Sequence, residues 1–196
     1  LILLLPLAKL WRMDKIQIRQ TVLTAVFTAL ISAGAFAILP IGPVPIVLTT
    51  LFVTLSGLLG GLRIGISSVF VYLILGILGL PVFAGGAGGF AVLTGPTGGY
   101  LIGYLPAAAI AGLIFRPGNK SSKITRIFLA SLAALLAAIS IYIPGLLWLK
   151  VSLGLEWGKA LSIGIIPFIP GDLIKTAAAV FLAIPLKERF VSFLKD

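Results

Sequence analysis

Long apolar runs dominate this chain, broken by short charged stretches and by stretches rich in proline and glycine. A membrane-spanning helix needs about 20 largely apolar residues. Six runs fit that description, at about 20–39, 45–61, 64–80, 98–115, 124–143 and 170–186. Pro40 is expected to end the first helix and Pro144 the fifth, because proline removes a backbone donor and crowds the preceding turn. The stretch 145–167 is apolar but carries Lys150, Glu156 and Lys159. It reads as a long loop with a short helix, not as a seventh span. The pattern therefore predicts an all-α integral membrane protein. A single six-helix domain would cover residues 20–196, behind an N-terminal cytoplasmic or interfacial segment at 1–19. The opening LILLLPLAKLWR is too short to span a bilayer and lacks a cleavage-site pattern.

The charges sharpen this picture. Lys9, Arg12, Lys15 and Arg19 precede the first span, and Arg63 lies between the second and third. Arg116, Lys120, Lys123 and Arg126 lie between the fourth and fifth, and Lys187, Arg189 and Lys195 follow the sixth. With six spans, all of these fall on one side. The positive-inside rule makes that side cytoplasmic, together with both termini of a multi-pass protein of the cell membrane. Composition agrees, since 60% of the 196 residues are hydrophobic and only 10% are charged. A net charge of +10 on a soluble chain would suggest nucleic acid, but here the cations flank apolar runs and act as topology signals.

Composition also excludes chemistry. There is no cysteine and no histidine, so disulfides, thiol catalysis and His-based metal or acid–base sites are ruled out. Only five residues are acidic, and no paired carboxylates are available for general acid–base work. The chain is not expected to be an enzyme or to need a cofactor.

Three unusual segments share the face opposite the cations. They are LPIGPVPIVLTT (Leu39–Thr50), GLPVFAGGAGGFAVLTGPTGGY (Gly79–Tyr100) and IIPFIPGDLIK (Ile165–Lys175). The second cannot be a regular helix, because each of its many glycines costs about 1 kcal/mol in a helix interior and Pro96 costs more. Irregular backbone at a membrane is buried in protein or lines a watery cavity. A folded cap over a cavity is expected, with Gly86, Gly88 and Gly89 letting backbone amides approach a ligand. The alternative is a flexible linker, which the interleaved Phe83, Phe90, Val92 and Leu93 argue against. The segment holds no lysine, so GGAGG and GPTGG lack the residue a phosphate-binding Walker loop requires.

Asp172 and Lys175 stand inside the apolar run 168–186. Pro170 suits the first turn of a helix, which places Asp172 near the positive helix end and Lys175 one turn on. Each charge would cost about 2.5–3.5 kcal/mol at the bilayer centre on insertion scales. One reading makes Asp172 a cap and lets Lys175 snorkel to the interface. The functional reading turns both toward a ligand cavity under the glycine cap. Asp172 would accept from N–H donors, and Lys175 would meet a carboxylate or carbonyl. Walls would come from Val44, Ile46, Phe83, Phe90, Tyr100 and Tyr142. The ligand would be small, with an NH-bearing polar head, an apolar body and an anionic or carbonyl group.

At this point the chain resembles the BioY family, the biotin-specific substrate-binding (S) components of energy-coupling factor (ECF) transporters. The resemblance spans roughly residues 20–186 and rests on PVPIVLTTLFVTLSGLLGG, GLPVFAGGAGGFAVLTGPTGGYLIGY and FIPGDLIKTAAA, in that order. It implies a six-helix bundle with a loop-capped, outward-facing biotin pocket, in which Asp172 and Lys175 match the family's polar ligand contacts. Family members often carry Gln where this chain has Thr49, so the hydrogen-bond pattern differs if that position touches ligand. In TAVFTALISAGAF, Ala25, Ala29 and Ala33 recur every four residues, a spacing that lets helices approach closely. They pack either inside the bundle or, as the resemblance implies, against a transmembrane coupling (T) component.

Energy for uphill transport must come from elsewhere. The chain has no nucleotide motif, and Asp172 is the one acid placed for intramembrane proton coupling. The resemblance supplies a T component and two ATP-binding-cassette ATPases. Competing readings are an S component for another vitamin and a stand-alone facilitator.

Overall fold

The computed structural model describes residues 15–39, 43–116 and 122–195. The segment 1–14, Pro40 and the loop 117–121 with Lys120 lie outside the described residues. Helix α1 spans Lys15–Phe36 and leads into strand β1 at Ile38–Leu39. Strand β2 at Ile46–Val47 pairs antiparallel with β1, Ile38 opposite Val47. Helix α2 follows at Thr49–Ile77, and the short α3 at Phe90–Thr94. Then come α4 (Gly98–Ile114), α5 (Lys123–Leu153), the short α6 (Trp157–Gly164) and α7 (Ile169–Lys195).

Helix α2 is two segments, not one. Gly61 sits at φ 72° and ψ −172°, a conformation open to a residue without a Cβ. Residues eight apart in a continuous helix are about 12 Å apart along the axis. Yet a Cβ built on Gly65 would lie 3.0 Å from the Cα of Gly57. The chain therefore turns back at Gly61, and 49–60 packs against 62–77. With α1, α4, α5 and α7 these segments make the expected six-helix bundle.

The fifth helix departs from expectation. It runs through Pro144 to Leu153 and ends at Gly154 in the left-handed conformation. The long loop expected over 145–167 is therefore mostly helical: the last turns of α5, then α6. Lipid offers no water to freed carbonyls, so a helix there stops where protein partners exist, and proline alone is tolerated. The N-terminal boundary also shifts, with α1 already helical at Lys15.

Small residues set the packing. Gly99, Gly103, Ala107 and Ala111 recur every four residues along α4. A Cβ on Gly103 would fall 2.9 Å from the Cα of Ile141 on α5, and one on Gly57 would fall 2.7 Å from the Cβ of Ala111. Ala130, Ala133, Ala134 and Ala137 line the buried face of α5. Apolar side chains are no more favoured against each other than against lipid, so close backbone approach supplies the packing energy. Around this core, Leu48 and many other large apolar side chains remain exposed on the outer surface, as a membrane protein requires.

The glycine-rich stretch is folded. Phe83 is fully buried, edge-on to Tyr72 at 5.4 Å. The amide of Gly89 donates to Gly76 O at 2.7 Å, and the Trp148 indole donates to Gly95 O at 2.9 Å. Replacing Gly57 by Val would force α2 from α4, and overpacking of this kind costs about 1–3 kcal/mol. Thermal unfolding in detergent should show a clearly lowered midpoint, and an unchanged midpoint would mean the two helices do not approach this closely.

Candidate functional site

The site forms where α7 begins. The 3-10 turn Ile166–Phe168 leads into α7, placing Asp172 in its first turn. Lys175 follows on the same face, with Nζ 2.5 Å from Asp172 Oδ1. The other carboxylate oxygen accepts from the Tyr142 hydroxyl on α5. Lys175 Nζ also donates to the carbonyl of Val47 on β2 at 3.1 Å. The side chains of Lys175 and Asp172 are only 9% and 18% exposed. Lys175 therefore does not snorkel to the interface: it is buried and ties α7 to β2.

A cavity sits on this cluster. Its walls include Val44, Thr50, Tyr100, Tyr104, Tyr142 and Phe168, with Asp172 and Lys175 as its charged members. The Tyr100 hydroxyl donates to Gly164 O at 2.9 Å, which locks α4 to the end of α6. Its ring stands 6.4 Å from that of Phe168. A second compartment, with Thr49, Tyr72 and Phe83 in its wall, shares Val44, Pro45, Val47, Tyr100 and Tyr104 with the first. The two measure about 50 and 210 Å³. Small-molecule pockets start at about 300 Å³. A ligand of that size would have to move the shared wall, to which Val44, Pro45 and Val47 belong.

Of the residues singled out in the sequence, Asp172, Lys175, Tyr100 and Tyr142 meet in one cavity, with Val44 beside them. Thr49 lies buried in the adjoining compartment with Tyr72 and Phe83. Ile46 packs against the core from a half-buried position. Gly86, Gly88 and Gly89 stand outside both linings and shape the cap's backbone instead, and Phe90 is 64% exposed. Ala25, Ala29 and Ala33 are all exposed on α1, while Leu23, Phe27 and Ile31 face the core. The alanine stripe therefore does not pack inside the bundle.

Sequence reasoning missed Thr50, Thr54, Tyr104, Phe168 and Thr176. A signal was present for most of them. Thr50 and Thr54, and Tyr100 and Tyr104, are pairs spaced four apart, and Thr176 stands four after Asp172, so each shares a helix face with its partner.

Residues 10–192 match the BioY family over most of the chain. The chain belongs to the BioY family. Among its relatives, a probable biotin transporter BioY of Pyrococcus horikoshii is 44% identical over 165 residues, covering 84% of this chain and 94% of that protein. The biotin transporter BioY of Thermotoga maritima is 41% identical, covering 87% of this chain and 96% of that protein. The crystal structure of the S component for biotin from an ECF-type ABC transporter superposes with a TM-score of 0.78 at 30% identity. That superposition covers 90% of this chain and 95% of the solved one. This BioY protein is thus a multi-pass membrane protein of a transporter family.

The pair can be tested without ligand. Removing one member of a fully buried ion pair costs about 3–5 kcal/mol, and less where a partner is 18% exposed, as Asp172 is. Lys175→Met should therefore lower stability more than the double variant Asp172→Asn/Lys175→Met, in thermal or denaturant unfolding. Equal losses would show that the two charges are not coupled.

Proposed function

We propose that this BioY protein binds biotin at the Asp172–Lys175–Tyr142 cluster and takes it up as the S component of an ECF transporter. The observation that carries the reading is a buried carboxylate–ammonium pair at the floor of an aromatic cavity. Biotin offers the complementary groups: two ureido N–H donors, a ureido carbonyl, an apolar thioether ring and a valerate carboxylate. Asp172 suits the ureido donors, and Lys175 suits one of the two oxygen acceptors. Tyr100, Tyr104 and Phe168 would enclose the apolar ring system. Binding at this floor replaces internal contacts of Asp172 and Lys175 with contacts to ligand, so neither charge is left unpaired.

Energy would come from a T component and two ATP-binding-cassette ATPases, because this chain carries no nucleotide motif. The exposed alanine stripe on α1 supports docking of the T component there, where small side chains permit close helix contact. The cations at one end support placement in the cell membrane with both termini cytoplasmic. The described ends of α1 and α7 meet at that end, where Arg19 donates to Phe193 O at 2.9 Å.

Calorimetry with biotin on the purified protein tests the site. Tight one-to-one binding is expected, weakened by about 1–3 kcal/mol in Asp172→Asn, where a ligand donor loses a charged acceptor. Lys175→Ala should also weaken it. Absence of biotin binding by well-folded protein would redirect the search to other vitamins. Ala29→Leu should spare binding but impair uptake by the assembled transporter, and a fall in binding instead would sink the docking role.

A further inference from the structure

The end of the bundle away from Asp172 holds a larger cavity, of about 900 Å³. It lies between the Gly61 reversal, the end of α4, the start of α5 and the C-terminal part of α7. Four cationic side chains line it, Arg63, Arg116, Arg126 and Lys187, against one carboxylate, Glu188. Glu188 is already paired with Arg126. The buried Nε of Arg126 has no acceptor among the described residues.

The other cations are not neutralised either. Lys187 Nζ donates to Leu58 O at 2.6 Å and Leu59 O at 3.2 Å, which caps the carbonyl end of 49–60. It has no carboxylate partner among the described residues. Arg116 donates through Nε to Gly112 O at 3.3 Å, and its terminal N–H groups meet no described acceptor. Residues 62–64, the first turn of the second half of α2, form part of the wall and add the positive end of a helix dipole. Orienting the chain in the bilayer requires cations at this end, but not their convergence on one cavity.

We propose that this cavity binds a phosphate-bearing anion, either the headgroup of an anionic phospholipid or a soluble phosphate compound. Arginine forks match phosphate oxygens in geometry as well as charge. Basic pockets between membrane helices on the cytoplasmic side hold phospholipid headgroups in the same way. A phosphate would supply acceptors to the exposed guanidinium of Arg63 and to the terminal N–H groups of Arg116, which have none among the described residues.

The probes are phosphatidylglycerol, followed by native mass spectrometry against phosphatidylcholine, and inorganic pyrophosphate, followed by thermal shift. The comparison is wild type, Arg63→Gln/Arg116→Gln, and a charge-matched control, Lys15→Gln/Lys159→Gln, whose lysines are exposed and outside the cavity. Loss of two cations should weaken binding by about ten- to thirtyfold, with the control unchanged. Arg63→Gln alone gives the same direction if the double variant fails to fold. Retention of phosphatidylglycerol alone assigns a lipid, and stabilisation by pyrophosphate alone assigns a soluble ligand; either supports the site. Binding of neither probe, or equal weakening in the control, overturns it. So does binding of neither probe combined with impaired uptake by the assembled transporter, which would make the cavity a protein-docking surface.

Discussion

Helix α4 meets α2 and α5 at backbone distance, and the positions of the groups in the cavity around Asp172 follow from that approach. Gly99 and Gly103 leave no room for longer side chains against α5. Each glycine is followed in sequence by a tyrosine of the cavity wall: Tyr100 after Gly99, Tyr104 after Gly103. The small residues pin the helix, and the tyrosines next to them are thereby fixed in the cavity wall. On α5 the same arrangement places Tyr142 beside Ile141, whose backbone is the surface against which Gly103 packs. A looser interface would leave the tyrosines free to vary in position and the cavity without a defined shape.

Charge is separated along the bundle. At one end a single carboxylate–ammonium pair sits in apolar surroundings, supported by a tyrosine hydroxyl and a backbone carbonyl. Desolvation offsets most of the Coulomb attraction of such a pair, so it contributes little to stability. It provides instead a polar patch in the wall of an aromatic cavity. At the other end the cations outnumber the carboxylates. Their repulsion is tolerated because most of them reach water, and because Lys187 and Arg116 are drawn to carbonyls at helix ends. The two ends of one bundle thus present opposite problems: a pair that must be sheltered, and an excess that must be solvated or neutralised.

The β1–β2 connection bears on the sheltered pair directly. Its strand pair is only two residues long on each side, yet Val47 carries the carbonyl that receives Lys175. The loop is held by the same ammonium that faces the cavity.

The sequence by itself determined the solvent and the architecture. Apolar runs of membrane length and cations concentrated at alternate junctions require a helical membrane bundle, because lipid leaves backbone groups no partner but their own helix. It also singled out Asp172 and Lys175, since charges in an apolar run are too costly to be incidental. The tertiary structure decided what they touch. Tyr142 stands thirty residues before Asp172, and Val47 far earlier still, so no local pattern could join them. The cap glycines illustrate the converse: their spacing announced irregular backbone, but the fold sets them outside the cavity walls, where they turn the chain instead. Pro144 carried the strongest local stop signal, and tertiary packing overrode it, because α4 and the surrounding lipid favour a continuous α5 more than one missing donor disfavours it. Helix periodicity reports which residues share a face; only the packing of one helix on another determines what that face meets.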